Sequence, residues 1–228
     1  MSLQLVVFVS GRGSNLEAIL KAIAERRLDA RVNLVVSNDP QAKALDIARE
    51  HNVPTAAISN QGLSRKEHEE KVLAALKEVD FDFIVLAGYM RILSAEFLRP
   101  FLDRRGYYRI INIHPSLLPA FPGKNAYELA FNYGVKISGI TVHLIDEQVD
   151  HGAILAQESF QRLPGDTLET FTRRGLAVEH ELYPRVLNEI AKHGIEIASG
   201  NTHGNSTVEP KAELAAELTT KIKESVER

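Results

Sequence analysis

Asn112 and His114 stand two apart in the run Ile110-Ile-Asn-Ile-His-Pro-Ser-Leu-Leu-Pro119. In a β-strand, residues two apart point to the same face, so the amide and the imidazole emerge side by side. Pro115 ends that strand at once, because proline cannot donate to a sheet ladder. An amide N–H beside an imidazole suits acyl transfer: both groups stabilise the oxyanion of a tetrahedral intermediate, and losing one such donor typically costs ~3 kcal/mol of barrier. Taken alone, the same pair reads equally well as a satisfied core histidine next to a turn-forming asparagine.

A carboxylate would complete the pair. Asp146-Glu-Gln-Val-Asp-His-Gly152 is a polar loop behind the apolar run that ends at Ile145. An acid near His114 favours its imidazolium form, which acts as a proton donor or an electrostatic stabiliser. Asp150 is the candidate partner; a solvated acidic turn is the plainer meaning of such a loop. His143 sits mid-strand and reads as structural. His143, Asp146, Asp150 and His151 match no familiar ligand spacing, so no metal is expected.

A third segment, Ser10-Gly-Arg-Gly-Ser-Asn15, follows an apolar run and opens a helical pattern. Glycines let a backbone turn tightly, and free N–H groups at a helix start favour an anion such as phosphate. A leucine stands where a dinucleotide fingerprint has its third glycine, and the Walker lysine is missing, so a mononucleotide-type phosphate fits better than a dinucleotide. The plain alternative is a strand-to-helix turn with Ser14 as the N-cap.

The elements that must position these residues follow from periodicity. Apolar runs at Leu3 to Ser10, Val32 to Ser37, Thr55 to Ile58 and Phe83 to Ala87 alternate with helical patterns at Asn15 to Glu25, Ala42 to His51, Ser64 to Val79 and Ser94 to Phe101. Continuous apolar strands separated by helices predict an α/β fold, Rossmann-like and doubly wound, with a mostly parallel sheet and helices on both faces. The second half predicts strands at Ile110 to Ile113, Ile137 to Ile145 and Ile154 to Phe160, and helices at Asn125 to Asn132 and Thr167 to Lys192. Ser14-Asn-Leu-Glu17, Ser64-Arg-Lys-Glu67 and Asp166-Thr-Leu-Glu169 resemble capping boxes, two acceptors that satisfy each other's orphan N–H groups at a helix start. Residues 1–194 read as one catalytic domain, with a phosphate-binding half to about residue 105 and a catalytic half beyond. From residue 195 the composition turns to a linker, and Leu214, Leu218, Ile222 and Val226 form one apolar stripe on an expected C-terminal helix.

Composition narrows the class. The chain has 228 residues, 44% hydrophobic and 25% charged, with a formal net charge of -3. No broad positive field exists to hold nucleic acid. There is no cysteine, so disulfides, thiolate zinc sites and cysteine nucleophiles are excluded, and a cytoplasmic protein is expected. The N-terminus lacks a basic region and a cleavage site, and its apolar run is too short to span a bilayer, so neither secretion nor a membrane anchor is expected. Monomer and homodimer are equally compatible with the sequence.

Together these segments resemble the folate-dependent formyltransferases. The likeness rests on Ser10-Gly-Arg-Gly-Ser-Asn-Leu16, Leu86-Ala-Gly-Tyr-Met-Arg-Ile-Leu93, Ile111-Asn-Ile-His-Pro-Ser-Leu-Leu-Pro119 and the Asp146 to Gly152 loop, in order along the chain to about His193. The resemblance implies that a glycinamide ribonucleotide amine attacks the formyl carbon of 10-formyltetrahydrofolate. Asn112 and His114 would hold the oxyanion, with Asp150 orienting His114. Gly13, Ser14 and Asn15 would take the phosphate, and Glu179 the ribose hydroxyls. Folate would lie against Met90, Arg91, Ile92 and Leu93, Asn112, and Asp146, Glu147, Gln148, Val149 and Asp150, with Arg65 near its carboxylate end. The chain departs from the family pattern at Leu176, three before Glu179, where a polar residue is expected in many relatives. Pro122-Gly-Lys-Asn125 also lacks a histidine often found shortly after that glycine.

Three other readings compete. A formyl-folate deformylase shares Asn, His and Asp but is expected to carry an N-terminal regulatory domain and no such phosphate loop. A methionyl-tRNA formyltransferase needs a further basic C-terminal domain. A non-enzymatic nucleotide-binding module explains the glycine loop but leaves Asn112, His114 and Asp150 without a purpose.

Overall fold

The structure is a computed structural model, and it describes residues 2–195. The expected linker and C-terminal helix lie outside the described residues.

Seven strands form one sheet: β1 (Leu3–Val9), β2 (Ala30–Ser37), β3 (Thr55–Ala57), β4 (Phe83–Leu86), β5 (Ile110–His114), β6 (Ile137–Leu144) and β7 (Ile154–Gln161). Their order is β3-β2-β1-β4-β5-β6-β7. The first five are parallel, and β6 and β7 add an antiparallel hairpin. Helices α1 (Ser14–Ala24), α2 (Lys43–Glu50), α3 (Arg65–Leu76), α4 (Ala95–Leu98), α5 (Ala126–Tyr133) and α6 (Leu168–His193) cover it. A 3-10 turn at Arg99–Phe101 extends α4, where Pro100 removes a backbone donor.

The continuous apolar strands are explained by two cores. Leu5, Val7 and Val9 of β1 face Leu16 and Ile19 of α1, Leu45 of α2 and Leu187 of α6. Val6 and Phe8 face Val72 and Leu76 of α3 and Phe97 of α4. A strand buried on both faces has no polar alternation to show. Each fully buried Leu, Ile or Phe contributes roughly 1.5–3 kcal/mol, which is enough to fix which helix lies on which face.

The crossovers leave β1 in both directions, toward β2 and toward β4. That makes the β1–β4 boundary the switch point, and ligands bind in the crevice outside the carboxyl ends of strands at such a point. The loops after β1, β4 and β5 all open there.

Two of the three expected capping boxes differ from the sequence reading. Ser64 and Glu67 form theirs as expected. At α1 the N-cap is Gly13, not Ser14, and no side chain caps the helix. At α6 the box is one residue later, between Thr167 and Thr170. Asp166 instead accepts from Arg174, whose guanidinium reaches both carboxylate oxygens at 2.7 and 2.9 Å. That charge-assisted bidentate pair outweighs a neutral cap and holds the Asp166 carboxyl well below the usual carboxylate range.

Candidate active site

The glycine loop is built by one backbone choice. Gly13 takes the left-handed conformation, φ +83°, and a Cβ there would come 2.7 Å from the Ala44 Cβ. Only glycine satisfies both demands. The turn lets α1 start at Ser14 with no side-chain cap, so its first N–H groups point outward as donors at the positive end of the helix dipole. The Gly11 carbonyl accepts from Ala44 N at 3.1 Å, which fastens the loop to α2.

Asn15, one residue into the helix, turns inward. Its Nδ2 donates to Glu179 Oε2 at 2.6 Å, while its Oδ1 is buried without a partner among the described residues. Gly13, Ser14, Asn15 and Glu179 are therefore one cluster, although Glu179 lies 164 residues further along the chain.

The second cluster gathers at the end of β5. Asp150 Oδ2 lies 3.3 Å from His114 Nδ1, and Asp150 Oδ1 lies 3.5 Å from Asn112 Nδ2. Asp150 itself has φ +54°, and its Oδ2 also accepts from Gly123 N at 2.7 Å. His114 is buried, and its Nε2 is 2.8 Å from the Phe121 carbonyl. Both of its ring nitrogens thus face acceptors.

The proline-rich loop is pinned so that this carbonyl arrives. Thr141 Oγ1 accepts from Leu118 N at 3.1 Å and donates to Ser116 O at 2.7 Å. Gln157 Nε2 donates to Leu118 O at 2.9 Å. Thr141 pairs with His114 across β5 and β6, so the residue that anchors the loop stands beside the histidine the loop covers.

His143 belongs to the cluster, contrary to its structural reading in the sequence. It pairs with Asn112 across the same two strands. Its Nε2 is 3.2 Å from Asn112 Nδ2 and 3.7 Å from Asp150 Oδ1. Burial lowers its pKa, opposed by its hydrogen bond to the Leu144 carbonyl. The alternation of β6 places Thr141 and His143 on one face, which is legible in the sequence. The register that sets them opposite His114 and Asn112 is not.

The expected folate wall is split over two loops. Met90 and Ile92 are exposed, as is Val149 of the loop after β6; exposed apolar side chains at a crevice offer a surface for a flat ring. Met90 N donates to Ser10 Oγ at 2.8 Å, which ties this wall to the glycine loop. Arg91 and Leu93 are half-buried. Asp146 braces its own loop, accepting from Gln148 N at 2.8 Å and lying 2.6 Å from His151 Nδ1. Glu147 accepts from the Tyr108 hydroxyl at 3.1 Å. Arg65 opens α3 and is exposed. Among the described residues no hydrogen bond joins it to Asn112, His114 or Asp150.

The described residues hold no group of three or more His, Cys, Asp or Glu side chains arranged to bind a metal ion.

Comparison with known proteins identifies the family. A family described as formyl transferase matches residues 3–187. The chain belongs to the formyl transferase family. Among relatives of this formyl transferase, a phosphoribosylglycinamide formyltransferase of Bacillus subtilis is 41% identical over 185 residues, covering 81% of this chain and 92% of that protein. A trifunctional purine biosynthetic protein adenosine-3 of Gallus gallus is 38% identical over 195 residues, 85% of this chain but 19% of that protein. A crystal structure of phosphoribosylglycinamide formyltransferase from Bacillus halodurans superposes with a TM-score of 0.79 at 40% identity, covering 84% of this chain and 97% of that one. The doubly wound sheet is thus the formyl transferase fold, and the chain is a one-carbon transferase.

Proposed function

We propose that this enzyme transfers the formyl group of 10-formyltetrahydrofolate to the amine of 5-phosphoribosylglycinamide, in de novo purine biosynthesis. The products are formylglycinamide ribonucleotide and tetrahydrofolate. One observation carries the reading: Asp150 reaches both His114 Nδ1 and Asn112 Nδ2, at 3.3 and 3.5 Å, at the ligand-binding end of the sheet.

The amine lone pair forms a bond to the formyl carbon, and the carbonyl electrons move onto oxygen. Asn112 N–H and the His114 Nε2–H hold that oxyanion. For the histidine this means exchanging its bond to the Phe121 carbonyl for one to the substrate, since Nδ1 stays on Asp150. Collapse then breaks the bond from carbon to the folate nitrogen. The folate nitrogen gains one proton and the amine loses one, so the proton balance closes. Much of the acceleration comes from holding amine and formyl carbon together.

In this reading residues 1–194 are the catalytic unit. The Gly13, Ser14 and Asn15 backbone takes the phosphate and Glu179 the ribose hydroxyls. The formyl-folate lies between Met90, Arg91, Ile92 and Leu93 and the Asp146 to Asp150 loop, with Arg65 toward its carboxylates. Both ligands are small molecules. Among the described residues no helix is long and apolar enough to cross a membrane. The reading places the reaction in the cytoplasm, in keeping with a chain that has no cysteine.

The test is an assay with purified protein. Tetrahydrofolate is released only when the ribonucleotide and the formyl donor are both present. Release without the ribonucleotide identifies a hydrolase instead, and no release with both identifies a binding module.

A further inference from the structure

Glu179 is 5% exposed, and both of its oxygens are already engaged. Asn15 Nδ2 donates to Oε2 at 2.6 Å, and the Tyr127 hydroxyl donates to Oε1 at 2.5 Å. Tyr127 comes from α5, Asn15 from α1 and Glu179 from α6, so three elements converge on one carboxylate. Burial pushes the Glu179 carboxyl up, and the bonds from Tyr127 and Asn15 pull it back. Burial and the neighbouring Glu179 push the Tyr127 phenol far above its usual range, so the phenol is a constant donor.

The Tyr127 ring fits because residue 175 is glycine. A Cβ at Gly175 would overlap the ring, 2.5 Å from the hydroxyl oxygen. Glycine is a poor helix former, and here the missing side chain is the space the phenol occupies. The ring also stands edge-on to Phe171, with centroids 6.3 Å apart at 90°. These contacts hold the hydroxyl in one place.

We infer that Tyr127 is a positioning residue for the sugar of the ribonucleotide, fixing Glu179 so that its remaining lone pairs face the sugar hydroxyls, with Gly175 as the gap that admits the ring. A carboxylate has about four acceptor sites. Asn15 and Tyr127 use two and leave two. Without the phenol, a buried carboxylate rotates or takes a proton, and a protonated carboxyl accepts poorly. The inference rests on the reading of Glu179 as the acceptor for the sugar hydroxyls.

Steady-state kinetics of Tyr127→Phe test it. The variant keeps the ring, the Phe171 contact and the fit at Gly175, and removes one charge-assisted hydrogen bond. KM for the ribonucleotide should rise about tenfold, with kcat, KM for the formyl donor and the melting temperature nearly unchanged. Glu179→Gln should raise the same KM, and adding Tyr127→Phe to it should cause no further loss. With a 2′-deoxy ribonucleotide the Tyr127→Phe penalty should shrink. If Glu179→Gln raises KM and Tyr127→Phe does not, the role of Tyr127 is overturned while the Glu179 reading stands. If Glu179→Gln itself leaves KM unchanged, premise and inference fall together. A fall in kcat matched by a fall in melting temperature marks a merely structural role and also overturns the inference.

Discussion

Asn112 Nδ2 and His143 Nε2 face each other across the β5–β6 pair, 3.2 Å apart. The other nitrogen of His143 lies 2.8 Å from the Leu144 carbonyl, so Nδ1 carries the proton and Nε2 presents a lone pair. One N–H of the Asn112 amide is therefore committed to His143. The second points to Asp150 at 3.5 Å, the long limit of a hydrogen bond, and is the one that can turn to a formyl oxygen. His143 sets which way the amide faces without touching the reacting atoms.

Asn112→Asp removes both amide donors at nearly constant volume. Turnover should fall on the order of 10²–10³-fold, with ribonucleotide binding retained. His143→Gln should cost less, about tenfold, because the amide remains but loses its fixed orientation. Single-turnover rates compared with ribonucleotide titrations separate the two steps. Equal losses in both variants would show that His143 does more than orient.

Asp150→Asn keeps the shape of the side chain and removes its charge. It should lower turnover on the order of 10²-fold or more and leave ribonucleotide binding nearly intact, because Asp150 acts on His114 and not on the phosphate loop. A large loss of binding with normal turnover would sink that assignment.

Gly13→Ala combines a strained φ of +83° with a clash against Ala44. A non-glycine residue there costs roughly 1–2 kcal/mol before the clash is counted. The melting temperature should drop by several degrees and KM for the ribonucleotide should rise more than tenfold. Gly11→Ala is the control, since a Cβ there meets nothing within 4 Å. A thermally neutral Gly13→Ala would contradict the geometry of the loop.

Three histidines, His68, His143 and His180, have their pKa values lowered by burial. Unfolding returns each to about 6.5. Below that pH the unfolded chain binds protons that the folded chain resists, so stability is fully present above about pH 6.5 and is lost as pH falls through the lowered folded values. Glu179 works the other way: its raised carboxyl favours the fold below about pH 4.5 and loses that benefit as pH rises through its folded value. In Glu179→Gln, which removes that opposing contribution, the urea midpoint should fall between pH 7.5 and pH 5.5. Adding His143→Gln should flatten that fall. A midpoint independent of pH in Glu179→Gln would refute the burial argument.

The parts legible in the sequence share one property: they are local. Period-2 spacing placed Asn112 and His114 together, and continuous apolar runs gave a parallel sheet buried on both faces. The Ser64 box was legible because both of its members lie within one turn. What was not legible depends on distant partners. Thr167 replaces Asp166 as the cap because Arg174, two helical turns on, recruits the aspartate. Ser14 yields to Gly13 because α2 presses on the turn from outside. Tyr127 is an unremarkable aromatic in a helix until Gly175 and Glu179 arrive from α6. His143 depends on a strand register that no single strand encodes.

That register has an evolutionary side. Along a strand, a slip of one residue turns every side chain to the opposite face. His114 opposite Thr141 and Asn112 opposite His143 hold only while the two strands keep step. The joining segment 115–136 carries the pinned proline-rich loop and α5, but its length does not set that step, since loop length enters only as a slowly growing closure entropy. A single insertion inside Ile110–His114 or Ile137–Leu144 has no such slack. It would send the amide or its partner imidazole to the wrong side of the sheet while every residue remained present. Parity of position within two short strands, more than their composition, is what heredity must conserve here.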